Sequence, residues 1–188
     1  MAKFRYGLKN VHYYPATWNP EEKRLTIGDG MPWNGAITLT ASKSTDSPFA
    51  DDGDYGIVEV IPSEELELEI FTIPEDFQTK FLGEVVDSDG NIVDMYKHMY
   101  KQKKNHFALA FEITQDTKAK RYLYFYCTAE ILQYSTSTKK ASIDIEPNKI
   151  KISAAELPKI GRKKETSSKT NKEAYDTWFT APKVSRLI

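Results

Sequence analysis

Glu65-Leu66-Glu67-Leu68-Glu69-Ile70 alternates carboxylates with branched aliphatic residues without a break. In an extended chain successive side chains point to opposite faces, so Leu66, Leu68 and Ile70 share one face while Glu65, Glu67 and Glu69 share the other. A helix would spread the same six residues around its circumference. The stretch is therefore expected to be a strand with one face in a core and one in water. Less regular alternation recurs at 36–41, 56–61, 107–114, 121–130 and 149–153. The pattern predicts a mainly β chain, an antiparallel sandwich or barrel.

The 188 residues, 40% hydrophobic and 12% aromatic, suffice for one domain with a packed core, and a single domain over 1–188 is expected. With 26 Lys plus Arg against 27 Asp plus Glu, the net charge of −1 gives no global attraction to nucleic acid or to an acidic membrane. The opening MAKFRYGLKNVHYY lacks the apolar core of a signal peptide, and no stretch approaches the ~20 apolar residues of a membrane span. Synthesis in a cytoplasm and no membrane partner are the expectations. The single cysteine, Cys127, excludes a disulfide within the chain and is expected to be a buried thiol.

One short flanking helix is expected after the first strand quoted. Thr72-Ile73-Pro74-Glu75 has a capping-box pattern with Pro in the first turn, Phe77 and Phe81 share a face, and Gly83 ends it. Asp87-Ser88-Asp89-Gly90-Asn91 reads as a tight turn. Residues 158–172 (PKIGRKKETSSKTNK) are poor in apolar side chains and read as a mobile charged loop, followed by a C-terminal arm over 173–188 anchored by Tyr175, Trp178 and Phe179. Charge is segregated: eleven acids and no Lys or Arg between Ser44 and Thr79, then 17 Lys plus Arg against 7 Asp plus Glu between Lys97 and Lys172. Such a chain can stack head to tail, or present two solvated faces.

Motifs for chemistry fail. Asp87, Asp89 and Asn91 match the first ligand positions of a calcium loop, but the glycine comes early and the twelfth position is His98. His12, His98 and His106 have no zinc-site spacing. No nucleophile elbow, phosphate loop or dinucleotide motif is present. Glu64 and Glu65 are neighbours on a strand, so they point apart and cannot act on one substrate. No enzyme, metal or cofactor is expected. The aromatic run Tyr122, Tyr124, Phe125, Tyr126 beside Lys120 and Arg121 reads as core packing rather than a base-stacking platform.

Several stretches together resemble the major tail protein family, the tail-tube proteins, of long-tailed phages of Gram-positive hosts. Tyr6-Gly7-Leu8-Lys9-Asn10-Val11-His12-Tyr13 is similar to the family's opening, and Phe49-Ala50-Asp51-Asp52 to its FYADN-like segment. Ile73-Pro74-Glu75-Asp76-Phe77 with Leu82-Gly83 resembles its IPDDF…LG pattern. Phe107-Ala108-Leu109-Ala110-Phe111-Glu112, Tyr126-Cys127-Thr128-Ala129 and Tyr175-Asp176-Thr177-Trp178-Phe179 resemble its FALLFE, YNCTA and YDxWF segments. The acidic Asp52-Gly53-Asp54 departs from the family pattern.

The resemblance implies a tail-tube fold of two packed antiparallel sheets with long loops and arms. Hexameric rings of the protein itself would stack into a tube around the tape-measure protein, between tail initiator (distal tail) and terminator proteins. Double-stranded DNA would pass through transiently, placing the protein in the virion tail. It also implies that loops and arms reach neighbouring subunits, with Phe49, Asp51, Asp52, Asp54, Arg162, Lys163, Lys164, Trp178 and Phe179 as inter-subunit residues. Glu65, Glu67 and Glu69 then become candidates for the lumen wall or, equally, for an outer wall where they serve solubility. A monomeric β-sandwich binding module for nucleic acid or carbohydrate is the alternative.

Overall fold

A computed structural model describes residues 7–43, 63–93, 105–114, 118–133 and 146–184. The strands are β1 (Leu8–Asn19), β2 (Arg24–Ile27), β3 (Met31–Pro32), β4 (Ala36–Lys43), β5 (Ser63–Ile70), β6 (Val85–Val86), β7 (Ile92–Val93), β8 (His106–Ile113), β9 (Lys120–Gln133), β10 (Asn148–Ala155) and β11 (Lys163–Glu165). Two short helices are α1 (Glu75–Phe77), which runs on as a π-helical turn over Gln78–Leu82, and α2 (Lys172–Asp176). The expected strand at 56–61 lies outside the described residues.

All strand pairs are antiparallel, in the order β2-β1-β8-β9-β10-β5-β4, with β3 added to β1 and β11 to β9. The quoted stretch occupies β5 with the expected facing: Leu66, Leu68 and Ile70 are buried. Leu68 is paired with Ile150 on one side and Leu39 on the other. The sheet curls until β1 and β4 approach each other, but no ladder joins them, so the barrel is not closed.

Two apolar clusters lie on the two faces of the curl. The inner one gathers Leu66, Leu68, Ile70, Leu109, Phe111, Tyr122, Tyr124, Ile150 and Ile152 and is plugged by α1 through Phe77 and Phe81. Tyr13 and Phe107 meet the Phe77 ring edge-on at 5.0 and 5.2 Å, a favoured aromatic geometry. Tyr13 Oη also donates to both carboxylate oxygens of Asp76 at 2.8 Å, tying the helix to β1. The outer cluster gathers Tyr14, Ala108, Ala110, Leu123 and Phe125 under Leu157, Ile160 and Trp178. Strands β8 and β9 are thus covered on both faces, and the aromatic run of β9 is divided between the two clusters. This agrees with the expectation of core packing.

The helix was expected from a capping box, and its start differs. Pro74 is the N-cap, in extended conformation, and no side chain caps it. The Pro74 carbonyl accepts from Phe77 N and, as the first regular helical bond, from Gln78 N. Gly83, at φ 84, ends the helix in the left-handed region that a side chain would strain. Asp87 closes the expected turn as the β6–β7 hairpin, accepting from Asp89 N and Asn91 N at 2.9 and 2.7 Å.

Residues 158–172, whose composition suggests a mobile loop, hold a turn and a strand in the structure. Leu157–Gly161 forms a tight turn that sinks Leu157 and Ile160 into the outer cluster. β11 then pairs with Tyr122–Tyr124 of β9, beyond the stretch of β9 that β10 occupies. Ladder bonds belong to the backbone, so a charged sequence can fill a strand whose neighbours bury the few apolar side chains. Of the expected C-terminal arm the structure describes 173–184, which begins within α2 and continues through turns to Val184.

Candidate interaction surface

The outer face of β5 carries Glu65, Glu67 and Glu69 between two unlike neighbours. On the β4 side they oppose Ser42, Thr40 and Thr38, and Thr38 Oγ1 donates to Glu69 at 2.8 Å. On the β10 side Lys149 lies 3.2 Å from Glu67 and 3.3 Å from Glu69. Lys151 lies 2.7 Å from Glu65 and 3.9 Å from Glu130 of β9. Two ammonium groups thus serve four carboxylates. Hydrogen bonds from Thr38 and Lys149 hold the Glu69 carboxyl below its usual pKa, and the carboxylates hold both lysines above theirs. The face is ionised, polar and open to solvent.

Glu64 points the other way, into the end of the barrel. It is 5% exposed, accepts from Tyr124 Oη at 3.0 Å and Lys163 Nζ at 2.9 Å, and lies 3.5 Å from Arg162 Nη1. Burial pushes its pKa up, but the hydrogen bonds from Lys163, Tyr124 and Arg162 and the Lys163 charge outweigh that, leaving it below the ordinary carboxylate value. Burial and the same carboxylate raise the Tyr124 hydroxyl. Glu64 and Glu65 therefore face apart, as the strand period requires. Arg162 and Lys163, expected at a subunit boundary, face a carboxylate of their own chain. Sequence reasoning missed this cluster, because residues 64, 124 and 162–163 carry no common motif.

Trp178 is buried, its Nε1 donating to the Tyr122 carbonyl at 3.2 Å. Lys164 Nζ sits 4.6 Å from the centre of the Trp178 ring and donates to the Lys183 carbonyl. Burial lowers the Lys164 pKa. The Phe179 carbonyl accepts from Tyr14 Oη at 2.8 Å, and its ring lies 5.2 Å from that of His12. These residues too pack within their own chain. Phe49, Asp51, Asp52 and Asp54 lie outside the described residues.

Cys127 is fully buried, which pushes its thiol pKa up. Among the described residues no three His, Cys, Asp or Glu side chains converge as metal ligands. No helix among them is long and apolar enough to cross a membrane. Where β4 and β8 fail to meet, an open cleft of about 530 Å³ runs between Ile37, Leu39 and Ala41 on one wall and Phe111, Ile113 and Tyr122 on the other. No protein-family model and no curated protein matches the chain.

Proposed function

We propose that this protein is a structural subunit of a phage tail tube, assembling as hexameric rings that stack into a conduit for the genome. The observation that carries the reading is the carboxylate-rich, ionised outer row of β5, with Lys149 and Lys151 of β10, Thr38 of β4 and Glu130 of β9 beside it. It has the chemistry of a wall that lets a polyanion pass: phosphates are repelled, whereas a lysine-rich wall would gain counterion-release affinity and retard sliding. Lys149 and Lys151 moderate the repulsion and keep the glutamates from repelling one another.

Dimensions also support the reading. Strands lie ~4.8 Å apart, so six four-strand faces side by side give a circumference of about 115 Å and a bore of about 37 Å between backbones, room for a double helix. A ring of this kind needs a heterologous contact that repeats around the axis, to which the uneven charge of the chain is suited. In this reading the tape-measure, initiator and terminator proteins are its partners and the virion tail its location.

A monomeric β binding module is the second reading, favoured by the half-open aromatic cleft beside β4. Sedimentation and negative-stain microscopy of concentrated protein separate the two. Rings or tubes are expected; a strictly monomeric mass at every concentration, also in the presence of the tail initiator, would sink the tail-tube reading.

A further inference from the structure

Asn34 and Gly35 make the turn between β3 and β4, and both are exposed. Gly35, at φ 86, takes the left-handed conformation that a side chain would strain. The Asn34 side chain has no hydrogen-bond partner among the described residues. On either side of it the chain is pinned. Trp33 N donates to the Val11 carbonyl of β1 at 2.7 Å, and the Gly35 carbonyl accepts from Phe71 N, just past β5, at 3.1 Å. Trp33 is buried in the inner cluster, its ring centred 4.1 Å from that of Phe77 and 5.3 Å from that of Tyr13. A free carboxamide thus sits between two anchors that fix part of the core.

Asparagine is among the chemically labile residues, and a following glycine leaves its reaction unhindered. The Gly35 nitrogen, once its proton is taken by hydroxide, attacks Asn34 Cγ. The new N–Cγ bond closes a five-membered succinimide ring, and the Cγ–Nδ2 bond breaks to release ammonia. Water then adds to one of the two ring carbonyls. Opening at Cγ gives aspartate; opening at the main-chain carbonyl gives isoaspartate, in which the chain runs through Cβ and Cγ. In sum, amide and water become acid and ammonia, with no oxidant, reductant or cofactor. A side chain on the following residue shields its nitrogen, and every other asparagine of this chain is followed by such a residue. Gly35 lies between β3 and β4, so its amide is held in neither ladder. At Asp89-Gly90, by contrast, the glycine nitrogen is bound to the Asp87 carbonyl at 3.1 Å.

From these observations we infer that Asn34 is a self-modification site, where the Gly35 amide of the same chain converts asparagine to isoaspartate and loosens the turn that seats Trp33. The isoaspartyl link inserts a main-chain atom between Trp33 and Gly35, so the bonds to Val11 and Phe71 no longer fit one turn. Because Trp33 packs on Phe77, the change passes to α1. The role is a slow ageing step built into the β3–β4 turn. It stands whether or not the protein builds tubes.

Peptide mapping of aged protein tests it. The full native chain is incubated in warm, mildly alkaline buffer and then cut with trypsin, which releases residues 25–43 with Asn34 as their only asparagine. That peptide is expected to gain the mass of an amide-to-acid exchange, located at residue 34 by fragmentation, and to separate into an isoaspartyl and an aspartyl product. Asn34→Gln, at an exposed position without partners, is expected to stay unchanged. An unaltered peptide from the native chain overturns the inference, whether or not the urea-unfolded chain converts, and so does aspartate as the sole product. Asn34→Asp carries the new charge without the added main-chain atom. The isoaspartyl fraction of the wild-type protein is expected to unfold at a lower urea midpoint than Asn34→Asp, and equal midpoints overturn the loosening of the turn.

Discussion

Glu64 and Glu65 are adjacent in the chain and opposite in circumstance. Glu65 is half-exposed on a face of alternating charge, where an ion pair contributes little beyond local order. Glu64 is buried against Tyr124, Lys163 and Arg162, so its loss leaves cations and a hydroxyl without their acceptor. Glu64→Gln is expected to lower stability by about 1–3 kcal/mol, since the amide keeps the shape but not the charge-assisted bonds. The pH dependence has a definite sign. The folded carboxyl pKa lies below the ordinary value of 4.5, so the stabilisation is complete above that value and is lost as pH falls through the folded pKa. Urea midpoints measured from neutral pH into this acid range should fall more steeply for the wild-type protein than for Glu64→Gln. Parallel curves would show that the cluster does not act through ionisation. Deeper in the core, Leu68 is fully buried between Ile150 and Leu39, and Leu68→Ala is expected to cost about 2–5 kcal/mol in the same measurement.

At the scale of elements, the segment after β10 matters most. Composition reads 158–172 as a mobile charged loop that adds little to the core, yet it supplies β11, the buried Ile160 and the lysine that meets Glu64. Its deletion should therefore destabilise the fold, unlike the deletion of a solvated loop. The same segment leads to Trp178, which covers the outer cluster. Trp178→Ala removes the largest apolar side chain of that cover and its hydrogen bond to the Tyr122 carbonyl, so a loss of about 3–5 kcal/mol is expected. Hydrogen exchange should then accelerate across β11 and α2 while β5 and β10 remain protected, because those strands face the other cluster. Uniform acceleration would mean that the two clusters unfold as one.

For the whole molecule, the outer row of β5 separates folding from assembly. Changing Glu65, Glu67 and Glu69 together to Lys leaves Leu66, Leu68 and Ile70 in place, so the chain should still fold, with a loss confined to exposed ion pairs. Lys149 and Lys151 would then face a basic row, and like charges across strands add a modest further cost. If this face lines a tube, particles carrying the triple variant should eject DNA more slowly and with stronger salt dependence. Normal ejection from assembled particles would remove these residues from the conduit.

Much of this was legible in the sequence wherever one face of a strand is buried and the other wet. β5 and β10 alternate cleanly, and the α1 segment announces itself by Phe77, Phe81 and Gly83. β1 was not legible as a strand. Tyr13 enters the inner cluster and Tyr14 the outer one, the register shifts between Lys9 and His12, and Asn10 sits at φ 50, so no period of two survives. The sequence by itself determined the local period, and with it the strand type and the facing of Glu65, Glu67 and Glu69. Only the tertiary structure decided which strands are covered twice, that Glu64 meets residues 60 and 99 positions away, and that a charged segment lies along β9. Those outcomes depend on which elements become neighbours when the sheet curls, a long-range property that no local spacing encodes.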